Sequence, residues 1–291
     1  MQVTLLGTGC PSVDATRYGP SLLIGGERSK LLVDCGSGVT QRLVAAGCPG
    51  RDVDALLITH LHSDHVVDLY QLIISSWHAG RQRPQRIYGP PGTRRYVDGL
   101  MELWRSEREQ RIAHERRPST VAFEIEVEEI AGERTLRIGE ISVDVVAVDH
   151  RPVRHAFGFV FSAGGGRVAV SGDTTYCPDL VSAARDVDLL VHEVFIHAEL
   201  PVVPGVRSAE TIENVASYHT LSDVVGKVAA EANAKCLMLT HFVPPRFDRR
   251  ALLAEVRKSY PGPVVIGEDL MVFDTADRSL SHGDSVLTLG R

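Results

Sequence analysis

Thr59-His60-Leu61-His62-Ser63-Asp64-His65 sets four candidate metal ligands, His60, His62, Asp64 and His65, within one short stretch. The apolar run Ala55-Leu56-Leu57-Ile58 precedes it and reads as a strand, and Val66 to Ser76 follows and reads as a helix. A strand ending in a ligand-rich loop is how a rigid scaffold presents a metal site. Imidazole and carboxylate donors together suit zinc or a similar first-row ion. Coincidental histidines in a solvated turn would leave unexplained the further ligands that the rest of the chain supplies.

The 291 residues allow one large domain, and the hydrophobic share of 44% provides a sizeable core that needs no disulfide staple. The five cysteines, Cys10, Cys35, Cys48, Cys177 and Cys236, are odd in number and contain no Cys-x-x-Cys. That pattern predicts a reducing compartment and argues against a cysteine-based zinc ribbon. Met1 to Gly7 reads as a first strand, not a signal peptide, and no apolar run approaches a membrane span, so a cytoplasmic protein is expected. A formal charge of −6 makes a poor generic nucleic-acid binder. Residues 81–117 nevertheless carry ten arginines against five acidic residues. They read as a solvated, ion-paired helical face or, alternatively, as a basic rim steering an anionic substrate.

Short apolar strands are predicted at Val3 to Leu6, Ser21 to Ile24, Lys30 to Val33 and Arg86 to Tyr88. Phe123 to Val127 and Ile141 to Val148 alternate as strands, and Phe157 to Phe161 with Val168 to Val170 forms a hairpin across Gly164-Gly165-Gly166. Leu189 to Val191, Lys235 to Thr240 and Val264 to Ile266 complete the strands. Helices are predicted over Thr40 to Ala46, Thr93 to about Glu115, Leu221 to Ala232, and from an Asp248 N-cap to about Ser259. This order suggests two packed sheets with helices outside and a single domain over residues 1–291, the polar stretch 277–291 being a loosely packed tail.

Three more candidate ligands fall at three more strand ends: His150, Asp173 in Ser171-Gly172-Asp173-Thr174-Thr175, and His241 after Cys236 to Thr240. His155 is a rival to His150, which is preferred because it ends the alternating strand. Five histidines and two aspartates can hold two ions if one carboxylate bridges.

With these residues in view, the chain resembles a metallo-β-lactamase-fold hydrolase, in the ribonuclease Z-like and arylsulfatase-like branch. The resemblance rests on Leu6-Gly7-Thr8-Gly9, Leu32-Val33-Asp34-Cys35-Gly36, the His60 to His65 motif, Tyr88-Gly89-Pro90-Pro91-Gly92, His150, Ser171-Gly172-Asp173-Thr174 and Leu239-Thr240-His241-Phe242. It implies an α+β fold, a four-layered αββα sandwich with two metal ions in the cleft between its sheets. It implies that His60, His62 and His150 hold one ion, that Asp64, His65 and His241 hold the other, and that Asp173 bridges. Asp34 would orient the ligand loops from behind. The ions are expected to be Zn2+, with Mn2+ or iron as alternatives.

His192-Glu193-Val194 resembles the His-Glu-Ala-Thr segment of ribonuclease Z, and His219-Thr220 its His-Ser-Thr segment. Carried over, Glu193 orients His219 and His219 is the general acid, while Asp64 accepts a proton from the metal-activated water. His192 and His197 are read as loop histidines. The implied activity is metal-dependent hydrolysis of a small anionic ester by a hydroxide shared between the metals, a phosphodiester first. Aryl sulfates and lactones or other carboxylic esters follow, and a mononuclear iron oxygenase is disfavoured by the complete second ligand set. His150 and Asp173 are only 23 positions apart, which leaves no room there for a tRNA-gripping arm and makes pre-tRNA a doubtful substrate. Family resemblance also implies a homodimer, for which the face Leu69, Leu72, Ile73, Trp77 is a candidate.

Overall fold

Runs such as Leu31-Leu32-Val33 and Phe159-Val160-Phe161 are apolar at every position, so their strands need cover on both faces. The computed structural model describes residues 1–289 and supplies that cover with four layers. The chain opens with β1 (Gln2–Gly7), β2 (Ser21–Gly25), β3 (Lys30–Val33), α1 (Val39–Ala45), β4 (Ala55–Leu57), α2 (Leu69–His78), β5 (Gln85–Gly89), α3 (Thr93–Leu103), α4 (Arg105–Glu115) and β6 (Ile125–Glu129). It continues with β7 (Arg134–Ile138), β8 (Ile141–Ala147), β9 (Phe157–Ala163), β10 (Gly166–Val170), α5 (Pro178–Ala183), β11 (Leu189–Phe195), α6 (Ala209–Ala216), α7 (Ser222–Glu231), β12 (Leu237–Val243), α8 (Arg249–Val256) and β13 (Val264–Ile266). The final strands are β14 (Val272–Asp274), β15 (Ser279–His282) and β16 (Ser285–Thr288).

One sheet runs β16-β15-β14-β1-β2-β3-β4-β5-β6 and the other β13-β12-β11-β10-β9-β8-β7. Alternation divides the apolar residues between three interiors. Leu5, Val33, Leu57, Phe159, Val191 and Met238 fill the space between the sheets. Leu32, Leu56 and Ile87 meet α1 to α3 through Val39, Leu43, Leu69, Ile73 and Val97. Val160, Leu190 and Val194 meet α5, α7 and α8 through Leu180, Val225, Val228 and Leu252. The expected αββα sandwich is therefore the observed one.

The strands β3, β4 and β5 are parallel neighbours, as are β10 to β13. Because β8 and β10 both pair antiparallel with β9, β8 shares the direction of β10. The loops after β3, β4, β8 and β10, together with the C-terminal part of β12, carry the candidate ligands to one end of the sandwich, where open-sheet sites gather.

Several expectations change. The helix predicted from Thr93 to Glu115 breaks at Trp104, whose ring stacks on Tyr70 with centroids 5.0 Å apart. Leu69, Leu72, Ile73 and Trp77 are at most 3% exposed and pack inward, so that face is core and not a free dimer surface. Residues 279–288 are paired as the β15–β16 hairpin at a sheet edge, so the tail is ordered up to there; positions 290–291 lie outside the described residues. Of the arginines in 81–117, Arg81 is buried and donates to the carbonyls of Gly50, Val53 and Pro84. Arg105, Arg111 and Arg117 pair with Glu102, Glu107 and Glu115. The ion-paired surface face is the reading these contacts support. Also absent from the sequence reading were β7, β14, α5 and α6, all of them short.

Gly172 makes the turn from β10 into Asp173 with φ of +60°, and a Cβ there would lie 2.5 Å from the Phe157 carbonyl. Only glycine combines that backbone with that approach. Gly172→Ala is expected to cost more than about 1 kcal/mol and to displace Asp173, read as a lower Tm together with weaker metal binding.

Candidate metal centre

The site begins with a buried aspartate. Asp34 follows β3 with φ of 58°, a left-handed conformation that aspartate tolerates better than most side chains. That turn sends its carboxylate under the ligand loop. Oδ1 accepts from the Thr59 amide at 2.8 Å, and Oδ2 accepts from Thr59 Oγ1 at 2.9 Å and lies 2.8 Å from His65 Nδ1. Thr59 Oγ1 in turn lies 3.0 Å from His60 Nδ1. On the opposite sheet, His150 Nδ1 lies 2.7 Å from the Tyr218 carbonyl oxygen, which only a protonated Nδ1 can satisfy. The Nδ1 atoms of His60, His65 and His150 are thus committed behind the site, and their Nε2 atoms are left to converge.

His241 arrives by a different device. Glu193 pairs with Thr240 and Val194 with Phe242, so His241 is an extra residue in β12, at φ of 45°. A bulge re-aims a side chain that strict alternation would turn elsewhere. His241 Nε2 lies 3.3 Å from Asp64 Oδ2 and 3.4 Å from Asp173 Oδ2.

Three groups of potential ligand atoms result, each within 4.8 Å: His60, His62, His150 and Asp173; Asp64, His65 and His241; and Asp173, His219 and His241. Asp173 Oδ2 lies between the first two, 3.8 Å from His60 Nε2, 3.9 Å from His150 Nε2 and 3.4 Å from His65 Nε2. The Nε2 atoms of His60 and His65 are buried without a hydrogen-bond partner among the described residues. Buried lone pairs facing a carboxylate fit a divalent cation, which would satisfy both. Burial also holds the imidazoles of His60, His62 and His150 below their usual pKa, in the neutral form that ligates. All seven residues expected from the sequence come together. His155 is exposed and belongs to none of the groups.

Beside the ligands, Glu193 is 1% exposed, at the inward-facing end of β11. Its Oε1 lies 3.0 Å from His219 Nδ1 and accepts from the amides of Thr174 and Thr220. This leaves His219 Nε2 for the cleft. Burial works against protonation of His219, but the Glu193 charge and hydrogen bond outweigh it and raise its pKa to about 9. Cations in the cleft act against that rise. His192 is not a loop residue: it lies within β11, fully buried, with Nδ1 2.8 Å from the Glu193 carbonyl oxygen. His197 is exposed on a short turn, as expected for a loop histidine.

Sequence reasoning missed two parts. Tyr218 acts through its backbone carbonyl, which leaves no side-chain signal. Asp269, buried and 261 positions from Thr8, accepts from the Thr8 amide and hydroxyl and from the Tyr18 amide. It pins the loop that carries Cys10 and Pro11 to the cleft.

Fold and site together define a metal-dependent ester hydrolase of the metallo-β-lactamase fold. The family model of the anti-Pycsar protein Apyc1 matches residues 1–205. A protein named ribonuclease Z from Mycolicibacterium gilvum (strain PYR-GCK) is 37% identical over 278 residues, 93% of this chain and 94% of that one. One of the same name from Mycobacterium bovis (strain BCG / Pasteur 1173P2) is 36% identical over 279 residues, 93% of this chain and 96% of its own. Among solved structures, the metallo-β-lactamase-fold protein YhfI from Bacillus subtilis superposes with a TM-score of 0.74 at 21% identity, covering 94% of this chain and 98% of that one. The short form of human tRNase Z superposes with a TM-score of 0.70 at 23% identity, covering 94% and 99%. The chain belongs to the ribonuclease Z-like family of metallo-β-lactamase-fold hydrolases.

Asp34→Asn keeps the volume of the side chain but removes the charge that faces His65. It is expected to weaken metal affinity by about 10- to 100-fold, measured by competition with a chromogenic chelator.

Proposed function

We propose that the protein is a dinuclear zinc-dependent phosphodiesterase acting on a small anionic diester. The observation that carries this reading is the central place of Asp173 Oδ2 between two complete ligand sets. In this reading His60, His62 and His150 hold one ion, Asp64, His65 and His241 the second, and Asp173 is shared. Bound divalent cations would neutralise charge on the ester oxygens and acidify coordinated water.

The protein's own residues supply the rest. Asp64, 10% exposed at its side chain and hydrogen-bonded toward His241, accepts the proton of the attacking water. His219 Nε2 returns a proton to the leaving oxygen, and Glu193 fixes the tautomer and orientation of that ring. Pro11, Ser63 and Tyr218 complete the walls of the cleft.

The relatives named ribonuclease Z favour a second reading within the same chemistry, an RNA phosphodiester. Only the β9–β10 hairpin occupies the segment between His150 and Asp173. Those relatives nonetheless align over nearly their whole length, so a missing arm at that point does not set this chain apart from proteins of that name.

Metal-replete protein is expected to hydrolyse bis(p-nitrophenyl) phosphate, with turnover lost in Asp173→Ala and after chelation. Turnover of aryl sulfates or lactones alone, with metal bound, would replace the phosphodiester by those esters. His219→Ala should lower kcat about 10²- to 10⁴-fold on diesters with alkoxide leaving groups and far less on nitrophenyl esters. Equal losses on both would remove His219 from the acid role.

We also propose a homodimer. Leu103 and Trp104 at the α3–α4 junction are 75% and 42% exposed, a more plausible contact than the buried face of α2. Light scattering should then return twice the chain mass of 31.7 kDa, and Trp104→Glu should return the single mass.

A further inference from the structure

His241 stands apart among the histidines of the site. The rings of His60, His65 and His150 are each held from behind through Nδ1. His241 Nδ1 is buried with no hydrogen-bond partner among the described residues. Its backbone is also irregular, an extra residue in β12 at φ of 45°. A ring that must present one nitrogen to an ion needs its orientation fixed by something. For His241 that restraint has to come through the main chain beside it.

The next residue supplies it. The Phe242 amide reaches across to the other sheet and donates to the Thr8 carbonyl at 3.1 Å. Thr8, just past β1, is gripped by Asp269, whose Oδ1 accepts from the Thr8 amide at 3.0 Å and from Thr8 Oγ1 at 2.8 Å. Asp269 Oδ2 accepts from the Tyr18 amide at 2.8 Å, so both oxygens of this buried carboxylate are satisfied. The segment that carries Asp269, between β13 and β14, is tied to both sheets: the Gly267 amide donates to the Leu239 carbonyl at 3.0 Å and the Leu270 amide to the Leu5 carbonyl at 2.6 Å. Arg17 closes the unit, donating to Thr8 Oγ1 at 2.6 Å while its guanidinium lies 4.3 Å from the centroid of the Phe242 ring.

The other side of the cleft is held by the same device. Asp34 accepts from the amide and hydroxyl of Thr59, and the Thr59 carbonyl accepts from the Phe157 amide of the opposite sheet at 3.0 Å. In both places an aspartate grips a threonine through amide and hydroxyl, and that threonine's carbonyl bridges the two sheets. Each bridge adjoins a ligand, since Thr59 precedes His60 and Phe242 follows His241. The two braces differ in reach. Asp34 serves His60 through Thr59 and His65 directly, whereas the contacts of Asp269 lead through Thr8 and Phe242 to His241.

We propose that Asp269 is the positioning residue of one of the two metal sites. It holds the bulge that aims His241, so its loss separates the ions: the one held by Asp64, His65 and His241 weakens, and the one held by His60, His62 and His150 is spared. The inference rests on the dinuclear ligand assignment proposed above.

The test is calorimetric titration of zinc into the metal-free full chain, with bound metal counted by elemental analysis. Wild type should take up two ions. Asp269→Asn keeps the side-chain volume but sets an NH2 group against a donor of Thr8 or Tyr18. It should weaken one binding step by about 10- to 100-fold and leave the other within about threefold. His241→Ala marks which step that is, and in its background Asp269→Asn should change the remaining step by less than about threefold. Asp34→Asn is the contrast and should weaken both steps, as any general loosening of the fold would. Thr8→Val keeps every backbone bond and removes only the hydroxyl between Asp269 and Arg17. It should weaken the same step by about two- to tenfold, and it carries the test if Asp269→Asn does not fold. Equal weakening of both steps in Asp269→Asn, or no weakening in the folded variant, would overturn the proposal; so would an unchanged Thr8→Val where Asp269→Asn does not fold. A wild type that takes up a single ion would end the dinuclear reading and this brace with it, whereas two ions in the wild type with no selective loss in the variants would end the brace alone. Turnover enters none of these readouts, so they stand whichever ester is the substrate.

Discussion

The site depends on one buried carboxylate. Asp34 is 4% exposed, and burying it is tolerable because Thr59 and His65 satisfy both of its oxygens. The same contacts fix Thr59, whose carbonyl accepts from the Phe157 amide at the start of β9. Through Thr59 the aspartate therefore reaches His60, His65 and the second sheet. An uncompensated carboxylate there would destabilise the fold, and an uncharged residue would leave the ligand loop without its brace. Fold stability and ligand orientation are thus one interaction viewed from two sides.

Electrostatics around this brace favour cations. Asp34, Asp64, Asp173 and Glu193 lie in or directly behind one cleft, all at most about a tenth exposed. Four carboxyl groups gathered around one cleft attract positive charge, which is why His65 and His219 hold their protons more tightly than usual and why divalent cations would be stabilised there. The Nε2 atoms of His60 and His65 make the same case locally, since a buried lone pair without a partner costs energy that a metal bond recovers. The bulge that carries His241 at φ of 45° fits this account, because backbone strain persists where surrounding structure and ligands over-determine it.

Legibility in the sequence followed the locality of each signal. His60 to His65 sit in one turn, so their spacing alone revealed them. His150 and Asp173 follow apolar strands and His241 lies near the end of one, and strand ends gather in an open sheet, which made them readable one step less directly. Glu193 and His219 are 26 positions apart and were assigned by resemblance; their 3.0 Å contact now gives that pairing a physical basis. The Asp269 clasp on Thr8 joins opposite ends of the chain and has no local signature. Amphipathic spacing on α2 showed that Leu69, Leu72, Ile73 and Trp77 share a face, but period alone cannot say whether helix or partner covers it; here the protein's own core does. The helix break at Trp104 escaped for a related reason, since the stacking on Tyr70 that accompanies it is a tertiary contact.

The division between metal cleft and adjoining cavity explains why the reaction class is easier to read than the substrate. Ligand geometry tolerates little variation, because each imidazole must present one nitrogen in one direction. The cavity of about 520 Å³ beside the cleft is walled by the loops after β1, β3 and β4, and Asp64 is the one candidate ligand among its described lining residues. Residues such as Val67 and Ser37 can change there without moving a ligand nitrogen, so the same hydrolytic centre can serve different esters. Arg17 shows the constraint that remains: its guanidinium is fixed by Thr8, Gly267 and Pro245 in holding the loop, so a change there would release the wall itself.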